Sequence, residues 1–230
     1  MIFHSHHQNP AAQVKPASVL FALGAILLIG CTDTASEEIE ASMPARMLDA
    51  FLDRMDVTRH WLAGHNIFWE TGDSDGTPVG PVGHHTHCSA FVAATCERLG
   101  ISILRPPEHP QLLLADAQFD WLGSNAGEAA GWRPVKSPPE AQDQANAGHI
   151  VVAIWKNPDP EIAGHVAMVR PARKSADLLA TEGVDIIQAG LTNYDRTNLR
   201  KGFKNHPGAW DDGELRYFMH PVAWKAIPLK

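Results

Sequence analysis

The chain has 230 residues, 44% of them hydrophobic and 20% charged, with a formal net charge of −7. That is ordinary globular composition, enough for one domain of fair size. The acidic balance, with no dense run of Lys and Arg, excludes a nucleic-acid binder whose affinity would come from phosphate contacts.

The N-terminal segment reads as targeting sequence rather than fold. Val19 to Gly30 is an apolar run of about 12 residues, the length of a signal-peptide core and short for a bilayer span. It ends in Leu28-Ile29-Gly30-Cys31, which resembles a bacterial lipobox. The resemblance implies a signal peptide over 1–30, cleavage before Cys31 and lipidation of that thiol. Residues 31–43 are polar and acidic and read as a tether, leaving one domain over 44–230.

Ser42 followed by Pro44 is a helix-start signal. Met47, Leu48, Phe51, Leu52 and Met55 recur at helical spacing, which predicts a helix near 44–62. Residues 71–87 form a loop rich in Gly, Pro, Asp and His. A second helix is predicted over 88–99, closed by Gly100, and a third over Gln111–Trp121 after Pro106 and Pro107. Residues 123–146 read as loop with short helical pieces. Strands are predicted over 149–155, 165–169, 184–189 and 215–219. Helices first and an antiparallel meander after them give an α+β class.

The three cysteines fall into different roles. Cys88 opens a helix after a flexible loop, where backbone N–H groups and the helix dipole favour a thiolate. Cys96 lies two helical turns on, about 12 Å away, too far for a disulfide and suited to packing. Cys31 is the lipidation candidate. A cysteine hydrolase needs a thiol, an imidazole within hydrogen-bond reach and a third group to orient the imidazole. His165 opens a strand after Gly164. Gln188, polar within an apolar stretch, sits in the next strand and must find a buried partner.

Four stretches carry a family resemblance: His87-Cys88-Ser89-Ala90-Phe91-Val92, Gly148-His149-Ile150-Val151-Val152, Gly164-His165-Val166-Ala167-Met168-Val169, and Ile186-Ile187-Gln188-Ala189. In this order they resemble the NlpC-type papain-like cell-wall peptidases and the related cysteine/histidine-dependent amidohydrolases. Four positions depart from the family pattern. His87 stands where Asp usually precedes the cysteine, with Ala90 for Gly two residues after it. His149 replaces the Asp of the Gly-Asp-Ile-Val strand, and Gln188 stands where His is frequent.

The resemblance implies a papain-like fold, with N-terminal helices packed on a small antiparallel sheet. It implies a Cys88–His165–Gln188 triad acting on an amide through a thioester, with no cofactor and no metal. The Cys88 backbone N–H is one oxyanion-hole donor. His87, Trp69 and the 84–87 loop are candidates for the second. By the same resemblance the substrate is a peptidoglycan stem peptide, and the protein is a monomeric envelope lipoprotein, periplasm-facing, held to the membrane by its N-terminal lipid. Two other readings compete. One is a zinc-dependent hydrolase using His84, His85, His87 and Cys88 with His165 or His149. The other is an envelope lipoprotein that binds wall peptides without cutting them.

Overall fold

The computed structural model describes residues 42–79 and 85–224. The signal peptide, Cys31 and all but the last residues of the tether lie outside the described residues, as does His84. Helix α1 spans Met43–Asp53, with the Ser42 hydroxyl accepting from the Ala45 N–H and Pro44 in the first turn. It stops well short of residue 62. Met55, Val57 and Trp61 are still buried, but they are carried by turns, with positive φ at Asp56 and Trp61. Apolar periodicity therefore persisted past the end of the helix because the turns that follow bury the same face.

Helix α2 spans Cys88–Arg98 and α3 spans Leu114–Leu122, both within a few residues of expectation. Residues 123–146 are more ordered than their composition suggests. They hold α4 (Asn125–Ala129), strand β1 (Arg133–Val135) and α5 (Pro138–Asn146), with serine side chains capping both helices. There follow β2 (Ile150–Trp155), β3 (His165–Val169), α6 (Ala176–Glu182), β4 (Asp185–Gln188), β5 (Tyr194–Asn198), α7 (Leu199–Gly202) and β6 (Arg216–His220).

The six strands form one sheet in the order β1-β6-β2-β3-β4-β5, with every pair antiparallel. The expected meander is therefore corrected at its end. The strand after β4 is β5, and the strand near 215–219 crosses back to pair with β2. β5 reads Tyr-Asp-Arg-Thr-Asn, with Asp195 and Arg196 exposed and the other three half-buried. A polar edge strand has no buried face, so it leaves no alternation in the sequence.

Alternation along the strands splits the core into two layers. Ile150, Val152, Ile154, Val166, Met168 and Ile187 face a cluster that includes Leu48, Leu52, Phe91 and Cys96 of α1 and α2. Val151, Ala153, Trp155, Ala167, Val169 and Ile186 face Ala141, Leu179, Leu199 and Phe203 on the other side. The sheet is thus covered on both faces, which explains why all six residues of β2 are buried. Helices before the sheet cover the first face, and α5, α6 and α7 cover the second. This is a mixed α and β architecture with an antiparallel sheet, as the sequence led us to expect in outline.

One buried cation ties the layers together. Arg170, just past β3, is 1% exposed. Its guanidinium pairs with Asp49 at 2.9 Å and with Asp53, and donates to the Asp195 carbonyl at 2.7 Å. Asp49 and Asp53 lie one helical turn apart on α1, so the pair grips a single planar fork.

Candidate functional site

Cys88 occupies the first position of α2, as its sequence context requires. No side chain caps this helix: His87 is the N-cap residue, but its ring turns away and Nε2 donates to the His65 carbonyl at 2.8 Å. The Cys88 thiol sits at this uncapped helix start. The backbone N–H groups of Val166, Ser89 and Cys88 itself all favour its ionised form. Burial nevertheless dominates. Cys88 is 4% exposed, and its thiol is pushed up to about 11, with the Asp116 charge adding to the effect. The helix terminus alone would lower this value; removal from water outweighs it. The resting thiol is neutral, contrary to the thiolate expected from its position.

His165 begins β3 and Gln188 ends β4, and the two strands pair. His165 Nε2 lies 3.0 Å from Gln188 Oε1, with both residues buried. Gln188 Nε2 donates to the Thr192 carbonyl at 3.3 Å, which fixes the amide orientation. Its Oε1 can only accept, so His165 carries its proton on Nε2 and keeps Nδ1 as the free base. Burial pushes His165 down to about 3; the His206 charge adds to this, and the Gln188 hydrogen bond opposes it.

Several residues that position this pair were missed by sequence reasoning. His206 stacks on His165 with ring centroids 4.5 Å apart and an 11° interplanar angle. Phe203 meets the same ring edge-on at 4.6 Å. Gly202 lies against Gln188, where an added Cβ would come within 2.6 Å of Oε1 and 2.4 Å of Ile186. α7 and the turn after it therefore form a lid over the imidazole–amide pair. Asp116 of α3 accepts from the Gly164 and Asn157 N–H groups, each at 2.8 Å. Gly164 has no room for a side chain, since a Cβ would stand 2.2 Å from the Trp155 carbonyl. These two residues hold the turn that delivers His165. The Gly-His pair was the available signal for Gly164; the lid residues carry none, being remote in sequence and of common types.

Nucleophile candidate and base candidate approach β3 from different sides. Cys88 packs in the first layer beside Val166, while the His165 ring lies against Phe203 of the second. They come close in the chain at the first residues of β3, where the Val166 N–H serves the thiol. Among the described residues no hydrogen bond joins the Cys88 sulfur to the His165 ring.

Two neighbouring pockets flank this end of the sheet. The larger, about 440 Å³, includes Thr86, Gly164, His165, Gln188 and His206 in its walls. The smaller, about 390 Å³, includes His85, Thr86, His87 and Gln111. Thr86, Leu112, Leu113 and Ala163 line both, so they form the divide between them. Leu113 adopts φ 55°, a strained conformation for a leucine.

The remaining candidates are placed as follows. His87 is buried, its ring held by the His65 carbonyl and pushed toward neutrality chiefly by burial. Trp69 is not brought to the thiol. It lies beneath the Arg105 guanidinium at 5.7 Å, and Arg105 pairs with Glu97 in the last turn of α2, away from Cys88. His149 belongs with His220 rather than with Cys88; the His220 charge and burial both lower it. Among the described residues no three His, Cys, Asp or Glu side chains converge as a metal site requires. Cys96 is fully buried in the first layer.

Comparison with known proteins adds no identity: no family model matches the chain, and no curated protein is detectably similar to it in sequence.

Proposed function

We propose that the chain is a cysteine-dependent amidase or endopeptidase in which Cys88 is the nucleophile, His165 the general base and Gln188 the residue that orients it. The observation that carries this reading is the buried His165–Gln188 hydrogen bond at 3.0 Å, one residue from the backbone N–H that serves the Cys88 thiol. A glutamine that fixes Nε2–H leaves Nδ1 unprotonated, which is the state a general base needs.

The chemistry starts from a neutral pair. Substrate in the pockets lies beside Thr86 and His87, the residues that lead into α2, and the thiol proton passes to His165 Nδ1 as sulfur attacks the carbonyl. Because His165 is held by Gln188 and boxed by Phe203 and His206, the movement that this transfer needs falls to the Cys88 side chain. The C–S bond forms and the carbonyl oxygen takes up the negative charge, to which the Cys88 and Ser89 N–H groups can donate. The imidazolium returns its proton to the leaving amine as the C–N bond breaks. Water deprotonated by His165 then hydrolyses the thioester and regenerates the thiol.

The family resemblance directs the first substrate to try: peptidoglycan stem peptides, met at the cell envelope by a protein lipidated at Cys31. The test is digestion of purified muropeptides by the full chain, read by mass spectrometry, with Cys88→Ala as control. New fragments that vanish in the variant support the reading; identical fragments from both overturn the thiol mechanism.

The burial and protonation of Cys88 favour one second reading, a protein of the same fold that binds such peptides without cutting them. It predicts saturable peptide binding by wild type and by Cys88→Ala alike, with no fragment from either.

A further inference from the structure

The pocket beside His165 has a chemical character that the thiol chemistry does not explain. Leu112, Ile162 and Leu191 lie in its walls while 77%, 56% and 53% exposed. Water-facing aliphatic side chains grouped at one opening mark a place where apolar surface is covered on binding. Lys201 and Lys204 also line it, together with Tyr194. The Lys201 ammonium stands 4.9 Å from the Tyr194 ring centroid, which places the charge at the pocket.

Neither lysine forms an ion pair among the described residues. Lys156 and Lys174, by contrast, are matched by Asp120 and by Glu182 and Asp185. Among the described residues Glu161 is the one carboxylate in the pocket wall, in the turn between β2 and β3. Two unmatched ammonium groups against one carboxylate leave the pocket electropositive beside the buried, neutral His165. Low-dielectric walls strengthen such a field for an entering anion.

From this we infer that the pocket is a specificity subsite for a substrate group that joins a bulky aliphatic body to a free carboxylate, placed next to the bond under attack. The inference rests on the reading of Cys88 and His165 as the reacting pair. The aliphatic rim takes the body and the Lys201–Lys204 edge takes the carboxylate. The cavity, about 440 Å³, lies in the range of small-ligand sites.

A matched pair of thiol reagents tests it. N-iodoacetyl-leucine carries the carboxylate, and N-iodoacetyl-leucinamide is its neutral analogue. Alkylation rates of Cys88 in the full chain are followed by mass spectrometry, each normalised to the rate with glutathione. Wild type is expected to favour the acid over the amide by about tenfold at low salt, a preference that 0.5 M salt reduces. Lys201→Met with Lys204→Met is expected to bring the ratio to about one, chiefly by slowing the reaction with the acid. A ratio that the two substitutions leave unaltered overturns the carboxylate subsite and leaves the thiol assignment standing. A Cys88 that neither reagent alkylates in wild type overturns both.

Discussion

The two faces of the sheet hold the two halves of the candidate site in different ways. On the first face Cys88 is set by a helix start, a local feature written in one stretch of sequence. On the second, the His165–Gln188 pair is set by remote residues: Asp116 holding the turn, Gly202 making room, Phe203 and His206 enclosing the ring. A nucleophile can be placed by its own element, whereas an oriented base needs an enclosure. Changes to the two halves should therefore fail differently.

The largest effect is expected from His165, the proposed base. His165→Ala should lower turnover, measured as kcat/KM, by about 10²–10⁴-fold. Gln188→Ala should cost less, because the ring is still boxed by Phe203 and His206, yet the tautomer is no longer fixed. If Gln188→Ala lowers turnover as much as His165→Ala, orientation resides in the amide and not in the enclosure. Gln188→Glu separates the two further. It offers an acceptor in the same place and should retain more activity than Gln188→Ala.

What could be seen in advance follows the same division. α2, β2 and β3 were visible because each is a dense apolar run with Gly or Pro at its borders. The pairing of His165 with Gln188 was visible because a polar residue inside a buried strand demands a partner. The lid was not. α7 is four residues long, and Gly202, Phe203 and His206 acquire meaning only when the chain returns to the sheet. The protonation state of Cys88 is hidden from the sequence for a related reason. The helix terminus is a local effect and was seen, but burial between α2 and Val166 is tertiary, and it dominates.

The next effect in size concerns the clamp between the layers. Arg170→Met leaves Asp49 and Asp53 without their shared partner and removes a donor to the Asp195 carbonyl. Breaking a buried pair from one side costs about 3–5 kcal/mol. Both carboxylates are partly exposed and regain water, which places the expected loss toward the lower end. Urea unfolding is the measurement. A loss under about 1 kcal/mol would show that the clamp contributes little beyond its geometry.

Acid should weaken the second face before the first. His165 and His206 sit at about 3 and about 4 in the folded protein, both depressed chiefly by burial, against an ordinary value near 6.5. For a base whose folded value is depressed, the stability is present above the unfolded value and is lost as pH falls below it, because the unfolded state binds the proton first. Between pH 7.5 and 5 each ring should withdraw about 2 kcal/mol. Their contact makes the joint effect less than the sum. His206→Phe keeps a ring against His165 and removes one titration. Its unfolding midpoint should fall less between pH 7 and 5 than that of wild type.

The smallest effect belongs to the first face, and it separates the two cysteines. Both are buried and both thiols are raised by burial. Cys96 has no backbone N–H to favour its thiolate; only the Arg105 charge opposes its burial. Cys88 has three such N–H groups and lies at a helix end. Cys96→Ala should cost about 1 kcal/mol through a small cavity and leave the Cys88 alkylation rate unchanged. That rate should be slow at pH 7 and climb about tenfold per pH unit toward pH 11, since only the thiolate reacts. A plateau below pH 8 in the free protein would mean that His165 already holds the thiol proton, and that the two halves of the site are joined before substrate arrives.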